Sequence, residues 1–263
     1  MDSEHKKDIR DMKDILSTIA DYARERVRQQ KLASCFAFEK ALKREGLSFI
    51  CECKKASPSK GVIAPEFPYI EIAKDYESAG ADCISVLTEP KYFLGSDEYL
   101  LEIAETVSIP VLRKDFIVDE FMIYQAKFLG ASAVLLICAI LDDKTLERYI
   151  RLCDELGLSA LVEAHDEREI KTAVNLGARV IGVNNRNLRD FSVDMTNSSR
   201  LRELVPSDVL FVSESGINSP EDVRRVRDMG ADAILIGEVL MRAPDKCAKL
   251  AELKKAATRK NSG

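Results

Sequence analysis

The sequence predicts an α/β chain folded as a closed (β/α)8 TIM barrel with an N-terminal helical extension. Three observations carry this reading: eight short β-branched runs, helical periodicity in the gaps between them, and a glycine recurring just before the strands. The runs are Phe49–Cys53, Cys83–Leu87, Val111–Lys114, Ala133–Ile137, Ala160–Glu163, Val180–Asn184, Val209–Ser213 and Ala233–Ile236. Their first and last starts lie 184 residues apart, or about 26 per step, which suits a strand plus a crossover helix. Tyr69, Ile72, Ala73 and Tyr76 show helical spacing in one gap, and Val223, Val226 and Met229 in another. Gly80, Gly130, Gly157, Gly177 and Gly230 stand two or three residues before a run, where a left-handed residue ends a helix and turns the chain into a strand. Alternating units imply a parallel sheet, and eight of them in 263 residues favour closure over an open sheet. No G-x-G-x-x-G follows the first run, which argues against a dinucleotide-binding fold.

Residues 1–46 stand outside the repeat. Met12, Ile15, Leu16, Ile19, Tyr22, Ala23 and Val27 form an apolar stripe at helical spacing, and Phe36, Phe38 and Leu42 suggest a second short helix. Packing against the barrel is the expected role of this arm, with cover for the barrel mouth as the alternative. The barrel is expected over 47–256. The charged end LKKAATRKNSG is expected to fray, with a tail over 257–263.

Composition narrows the function classes. Lys plus Arg number 39 and Asp plus Glu 44, a formal net charge of −5, which argues against nucleic acid and anionic membranes as partners. The start is charged from its second residue and is no secretory signal. The longest mostly apolar run, Ala131 to Leu141, is about half of the ~20 residues a membrane span needs. A cytoplasmic protein is expected, with no partner chain implied and a monomer as the default. The seven cysteines are scattered without a C-x-x-C pair and read as small buried hydrophobes. Only His5 and His165 are present, so neither a histidine metal site nor a histidine-based catalytic pair is expected.

Active sites of such barrels form at the C-terminal ends of the strands. In FICECKKASPSKG, alternation puts Glu52 and Lys54 on one face and Cys51 and Cys53 on the other. Because apolar helices surround a barrel, the cysteines face outward and Glu52 and Lys54 face the mouth. Lys114 ends VLRK with Leu112 on its face, Glu163 ends ALVE with Leu161 on its face, and Asn184 and Arg186 follow the sixth run. Inward charges must be paired or shift their pKa values, and a lysine near other cations moves toward neutral. Such a cluster suits acid–base chemistry more than structural ion pairing. Ser215 and Gly216 follow the seventh run, and Gly237 follows the eighth just before a helical stretch. Those two loops commonly bind phosphate in barrels of this kind.

These segments together resemble the indole-3-glycerol phosphate synthase family. The motifs are FICECKKASPSKG, VLTEPKYFLGS, VLRKDFIVDEFMIYQAKFLGA, LVEAHDEREI, IGVNNRNL, VSESGI and LIGEVLM, spread over nearly the whole chain. The resemblance implies ring closure, decarboxylation and dehydration of 1-(2-carboxyphenylamino)-1-deoxyribulose 5-phosphate to indole-3-glycerol phosphate, in tryptophan biosynthesis, with neither metal nor organic cofactor. It implies that Lys114 protonates the carbonyl oxygen and that Lys54 contacts substrate and serves as acid in dehydration. Glu163 and Glu52 are implied to take a proton or hold the lysines, and Asn184 to orient the reacting chain. Substrate contacts carry over to Ser57, Phe116, Arg186, Glu214 and Ser215, and phosphate contacts to Ser215, Gly216, Gly237 and Glu238. Some family members have serine in place of Glu238, so its carboxylate is expected to turn away from phosphate and leave only its N–H as donor.

Three alternatives differ in chemistry. A phosphoribosylanthranilate isomerase-like barrel would use a cysteine of the first strand, but parity points Cys51 and Cys53 away from the mouth. A Schiff-base aldolase would use Lys114 as nucleophile. A non-catalytic barrel binding a phosphorylated ligand would not need both lysines and both glutamates. Lys54, Lys55, Lys60, Arg113, Lys114 and Arg186 all fall at strand ends, so an acidic chain is expected to carry a locally cationic mouth.

Overall fold

The computed structural model describes Tyr22, residues 35–186 and residues 192–258. The chain divides into two compact units, Met1–Cys35 and Phe36–Gly263. The stripe from Met12 to Val27 lies outside the described residues, except that Tyr22 is helical and exposed. The second unit holds the barrel.

Eight parallel strands close into a ring: β1 (Ser48–Cys53), β2 (Cys83–Leu87), β3 (Val111–Lys114), β4 (Ala133–Ile137), β5 (Ser159–Ala164), β6 (Val180–Asn184), β7 (Leu210–Glu214) and β8 (Ala233–Ile236). Each strand pairs with its sequence neighbours, and β1 closes the ring against both β2 and β8. The fold class expected from the repeat is the one observed, with strand limits moved by at most one residue. Crossover helices follow the strands, among them α2 (Tyr69–Ser78), α3 (Asp97–Thr106), α4 (Glu120–Phe128), α5 (Asp143–Leu156) and α6 (Glu167–Asn175). The rest are α7 (Thr196–Arg202), α8 (Pro220–Asp228), α9 (Glu238–Arg242) and α10 (Lys246–Ala257). Side chains of Ser96, Asp119, Asp142, Asp166, Ser219 and Asp245 cap the N-termini of α3, α4, α5, α6, α8 and α10 by accepting backbone N–H groups. All five repeated glycines have positive φ.

Strand alternation sorts the core into two layers. Outward residues such as Phe49, Cys51, Cys53, Ile84, Val134, Val162 and Phe211 pack under the helices, while Ile50, Leu112, Leu135, Leu161, Val212 and Leu235 fill the barrel. The cysteine expectation therefore holds for β1, and burial pushes the Cys53 thiol well above its ordinary value. A short helix, α1 (Ala37–Leu42), closes the end of the barrel where the strands begin. Its Phe38, Ala41 and Leu42 join the interior layer, and Ser48 at the start of β1 donates to the Ala41 carbonyl at 3.5 Å. Arg179 fixes this plug from outside. Its guanidinium donates twice to Glu39 at 3.0 Å, lies 2.8 Å from Asp154 and stacks 4.6 Å over the Phe36 ring. Residues 36–42 thus pack against the barrel floor, at the end opposite the mouth.

The expectation for the C-terminal LKKAA stretch is corrected. Helix α10 runs to Ala257 because Leu250, Leu253 and Ala256 are buried against the barrel's helical layer. Of the tail expected over 257–263, residues 259–263 lie outside the described residues. Among the described residues no helix is long and apolar enough to cross a membrane.

Candidate active site

Inward-facing positions that are apolar in the lower barrel become polar at the top. Along β1, Ile50 gives way to Glu52 and then Lys54, and along β5 Leu161 gives way to Glu163. On β7, Val212 gives way to Glu214. The result is a cavity of about 610 Å³ at the C-terminal mouth, a size suited to a small organic ligand. It is lined by Glu52, Lys54, Ser57, Lys114, Phe116, Glu163, Asn184, Arg186, Glu214, Ser215, Gly216, Gly237 and Glu238. Every residue assigned a catalytic, substrate or phosphate contact from the sequence therefore lines one cavity, while Lys55 and Arg113, counted with the cationic mouth, do not line it.

Lys114 stands at the centre. Its Nζ lies 3.7 Å from Glu163 Oε2 and 3.7 Å from Glu214 Oε2. Lys54 Nζ donates to Glu52 Oε1 at 2.5 Å. Asn184 Nδ2 donates to Glu163 Oε1 at 3.5 Å, while Asn184 Oδ1 accepts the Arg186 backbone N–H at 3.0 Å. Burial opposes the charge on Lys114, but Glu214, Glu163 and Glu52 outweigh it and hold the ammonium well above the usual lysine range. A lysine shifted toward neutral pH by other cations is therefore not what forms, because its close neighbours are carboxylates.

Glu163 and Glu214 do not behave alike. Burial disfavours ionised Glu163, yet Lys114, His165 and Asn184 overcome burial and hold its carboxyl below the ordinary value. Burial pushes Glu214 up to about 8, and repulsion from Glu163 and Glu52 adds to it against the pull of Lys114. Carboxylates crowded around one ammonium repel one another, so the one with the fewest donors is the hardest to ionise.

Two glycines make room for these carboxylates. Gly182 faces inward on β6, and a Cβ there would collide with Glu214 Oε1 and lie 3.2 Å from Leu161 Cδ1. A Cβ at Gly237 would lie 2.5 Å from Glu52 Oε1. Gly182→Ala should therefore displace Glu214 and cost about 1–3 kcal/mol in overpacking. Denaturant unfolding will measure it, and an unchanged midpoint would show that Glu214 relaxes freely.

One side of the cavity is aromatic, formed by Tyr92, Phe93 and Phe116, with the Phe93 and Phe116 rings 6.1 Å apart. The opposite side is formed by the loops after β7 and β8. Ser215 has φ 65, left-handed for a residue that is not glycine, and Gly216 follows at φ 80. Such backbone is costly and recurs at ligand sites. Ser57 sits in a small antiparallel hairpin, Ala56–Ser57 with Gly61–Val62, that shapes the loop after β1.

Three expectations change here. Glu238 does not turn away from the mouth: its carboxylate lies 3.8 Å from Lys60 Nζ and 3.8 Å from Arg186 Nη2, and 3.2 Å from Arg242 Nε. Arg113 does not contribute to the mouth. It is buried in the outer layer against Asp97, Asp115 and Gln125, because strand alternation sends residue 113 opposite to Lys114. His165, for which no role is expected from the sequence, touches the cluster without lining the cavity, with Nε2 3.1 Å from Glu163 Oε1. The parity that pairs Glu52 with Lys54 pairs Glu163 with His165 in the same way, and is the signal that marks it. Among the described residues no group of three or more His, Cys, Asp or Glu side chains is arranged to hold a metal ion.

Comparison with known proteins narrows the reading. The family model described as indole-3-glycerol phosphate synthase matches residues 2–253. The chain belongs to the indole-3-glycerol phosphate synthase family. Within this synthase family, the protein of that name from Ruminiclostridium cellulolyticum is 63% identical over 224 residues, 85% of this chain and 86% of that one. The indole-3-glycerol phosphate synthase of Endomicrobium trichonymphae is 55% identical over 218 residues, covering 83% and 84% of the two chains. Among solved structures, 3-hexulose-6-phosphate synthase from Salmonella typhimurium superposes with a TM-score of 0.66 at 16% identity, over 80% of this chain and 98% of that one. At that identity the likeness is one of fold, and it supports the closed barrel of this synthase-family member.

Proposed function

We propose that this barrel closes the indole ring of indole-3-glycerol phosphate from 1-(2-carboxyphenylamino)-1-deoxyribulose 5-phosphate, releasing carbon dioxide and water. The observation that carries the reading is Lys114, a buried ammonium held between Glu163 and Glu214 inside a cavity with one aromatic side. Ring closure joins the ring carbon bearing the carboxylate to the carbonyl carbon of the sugar chain. Negative charge then builds on the carbonyl oxygen, and a proton must arrive there. Lys114 is the donor we assign, since its carboxylate neighbours keep it protonated across neutral pH.

Loss of carbon dioxide returns the electron pair to the new five-membered ring. Dehydration then expels the former carbonyl oxygen as water, after an acid protonates it and a base removes a proton from the adjacent carbon. Lys54 is the acid we assign for this step, and Glu163, the carboxylate held below its ordinary value, is the base. Glu52 holds Lys54 at 2.5 Å, and Asn184 ties Glu163 to the loop carrying Arg186. In this reading the aromatic side beside Phe116 takes the anthranilate ring. Phosphate takes the opposite side, at Ser215, Gly216, Gly237 and the backbone N–H of Glu238. Phosphate would then compete with the Glu238 carboxylate for Lys60 and Arg186, which it approaches at 3.8 Å.

The chain has no tryptophan, so indole fluorescence reads product over a low protein background. Purified protein and this substrate should produce a fluorescence rise. The dephosphorylated substrate should show a KM raised at least about tenfold, since an anion held by backbone N–H groups and cations contributes at least about 1.4 kcal/mol. Equal KM values would remove the phosphate role from the loops after β7 and β8. No fluorescence rise with either compound would remove the reaction.

A further inference from the structure

Among the described residues, His165 touches the Lys114 cluster and has no part in the proposed chemistry. It follows β5 directly, and its imidazole is half-enclosed between two carboxylates. Nε2 lies 3.1 Å from Glu163 Oε1, and Nδ1 lies 3.0 Å from Glu169 Oε2. Glu169, in the first turn of α6, also accepts the His165 backbone N–H at 2.8 Å, so ring and main chain are held by one side chain. Asn197 on α7 donates to the His165 carbonyl at 3.3 Å.

Neutral imidazole carries a single N–H, so one of its nitrogens would present a lone pair to a carboxylate oxygen at about 3 Å. Only the imidazolium offers a proton at both nitrogens. Two further charges bear on this contact: Glu214 from β7 interacts with the ring, and Lys114 from β3 shares Glu163 with it. Glu163 therefore has a cation at each oxygen, Lys114 at Oε2 and His165 at Oε1. Among the described residues Glu214 pairs only with Lys114, and its Oε1, like His165 Nε2, is buried without an aligned hydrogen bond, so His165 meets Glu163 by charge at 3.1 Å.

We propose that His165 is a positioning residue whose imidazolium, clamped by Glu169, holds Glu163 as the ionised carboxylate of the site and leaves the shared proton to Glu214. The inference rests on the synthase reading for its kinetic consequence, because Glu163 must be ionised to act as base. The ring's own charge does not depend on turnover. Its basicity is raised to about 10, with the Glu163 and Glu169 contacts as the largest causes.

Because the chain has two histidines, a ring-nitrogen NMR spectrum of histidine-labelled protein is simple to assign, and His165→Asn removes one of its two pairs of signals. The expected result is a His165 ring protonated at both nitrogens at pH 8, titrating at lower pH in Glu163→Gln and in Glu169→Gln. In steady state, His165→Asn should move the acidic limb of the kcat profile upward, because Glu163 loses a cation and its carboxyl becomes harder to ionise. KM should change less than about threefold, as the ring is assigned no contact with substrate. A ring that is neutral at pH 8 would overturn the proposal, and so would an acidic limb left in place with kcat lowered uniformly. The titration needs no substrate, so it decides the charge on His165 even if the synthase reaction fails.

Discussion

Replacing Lys114 with methionine should lower kcat by about 10²–10⁴, the range that one positioned proton donor supplies, while substrate affinity stays within a few fold. Methionine keeps the length and apolar body of the lysine stem, so the cavity is preserved and the ammonium alone is lost. Glu163 and Glu214 would then face each other without the cation that lies 3.7 Å from both, and both carboxyls should become harder to ionise. Lys114→Arg separates two roles that Lys114→Met removes together. Arginine restores charge, but its planar guanidinium holds its protons by delocalisation and cannot set one where the Lys114 Nζ stands. Turnover by Lys114→Arg should therefore be about as low as by Lys114→Met, measured as initial rates at saturating substrate. Near-normal turnover by Lys114→Arg would mean that Lys114 contributes charge and that the proton comes from elsewhere.

The second large effect lies at the other end of the barrel. Phe38 is completely buried among the inward residues of the strand starts, and Phe38→Ala should cost about 3–5 kcal/mol of stability, the usual range for removing a buried phenyl group. The loss combines transfer of the ring with the cavity it leaves, because the closed ring of strands has little freedom to collapse around it. Urea unfolding followed by circular dichroism will measure this. Turnover per folded molecule should be little changed, since the polar cluster lies at the opposite ends of the strands. A loss below about 1 kcal/mol would show that α1 decorates the floor without closing it.

Much of this architecture is legible in the chain itself. Period-two alternation sorts Cys51 and Cys53 from Glu52 and Lys54, and the glycines that end helices mark where strands begin. The same alternation places Arg113 outside and His165 inside, so those two departures reflect incomplete use of a rule that holds. Other features are not legible, for physical reasons. That α1 closes the floor depends on Arg179 and Glu39, which are 140 residues apart and share no local pattern. Gly182 looks like an ordinary strand glycine until Glu214 is seen to occupy the space of its missing Cβ. Glu238 is expected to avoid an anion site, and the cations near it, Lys60 and Arg186, come from loops after two distant strands. The division of labour among Glu52, Glu163 and Glu214 depends on which oxygen meets which cation, a matter of ångströms that composition does not carry.

Ring closure and loss of the carboxylate belong to one reaction at one site. The most direct measurement supplies the phosphorylated substrate labelled with carbon-13 in its carboxylate and follows both products by NMR. Labelled carbon dioxide or bicarbonate should appear in step with the indole ring protons, one for one, and Lys114→Met should abolish both together. Substrate consumed without label release, or label released without an indole ring, would contradict the proposed reaction.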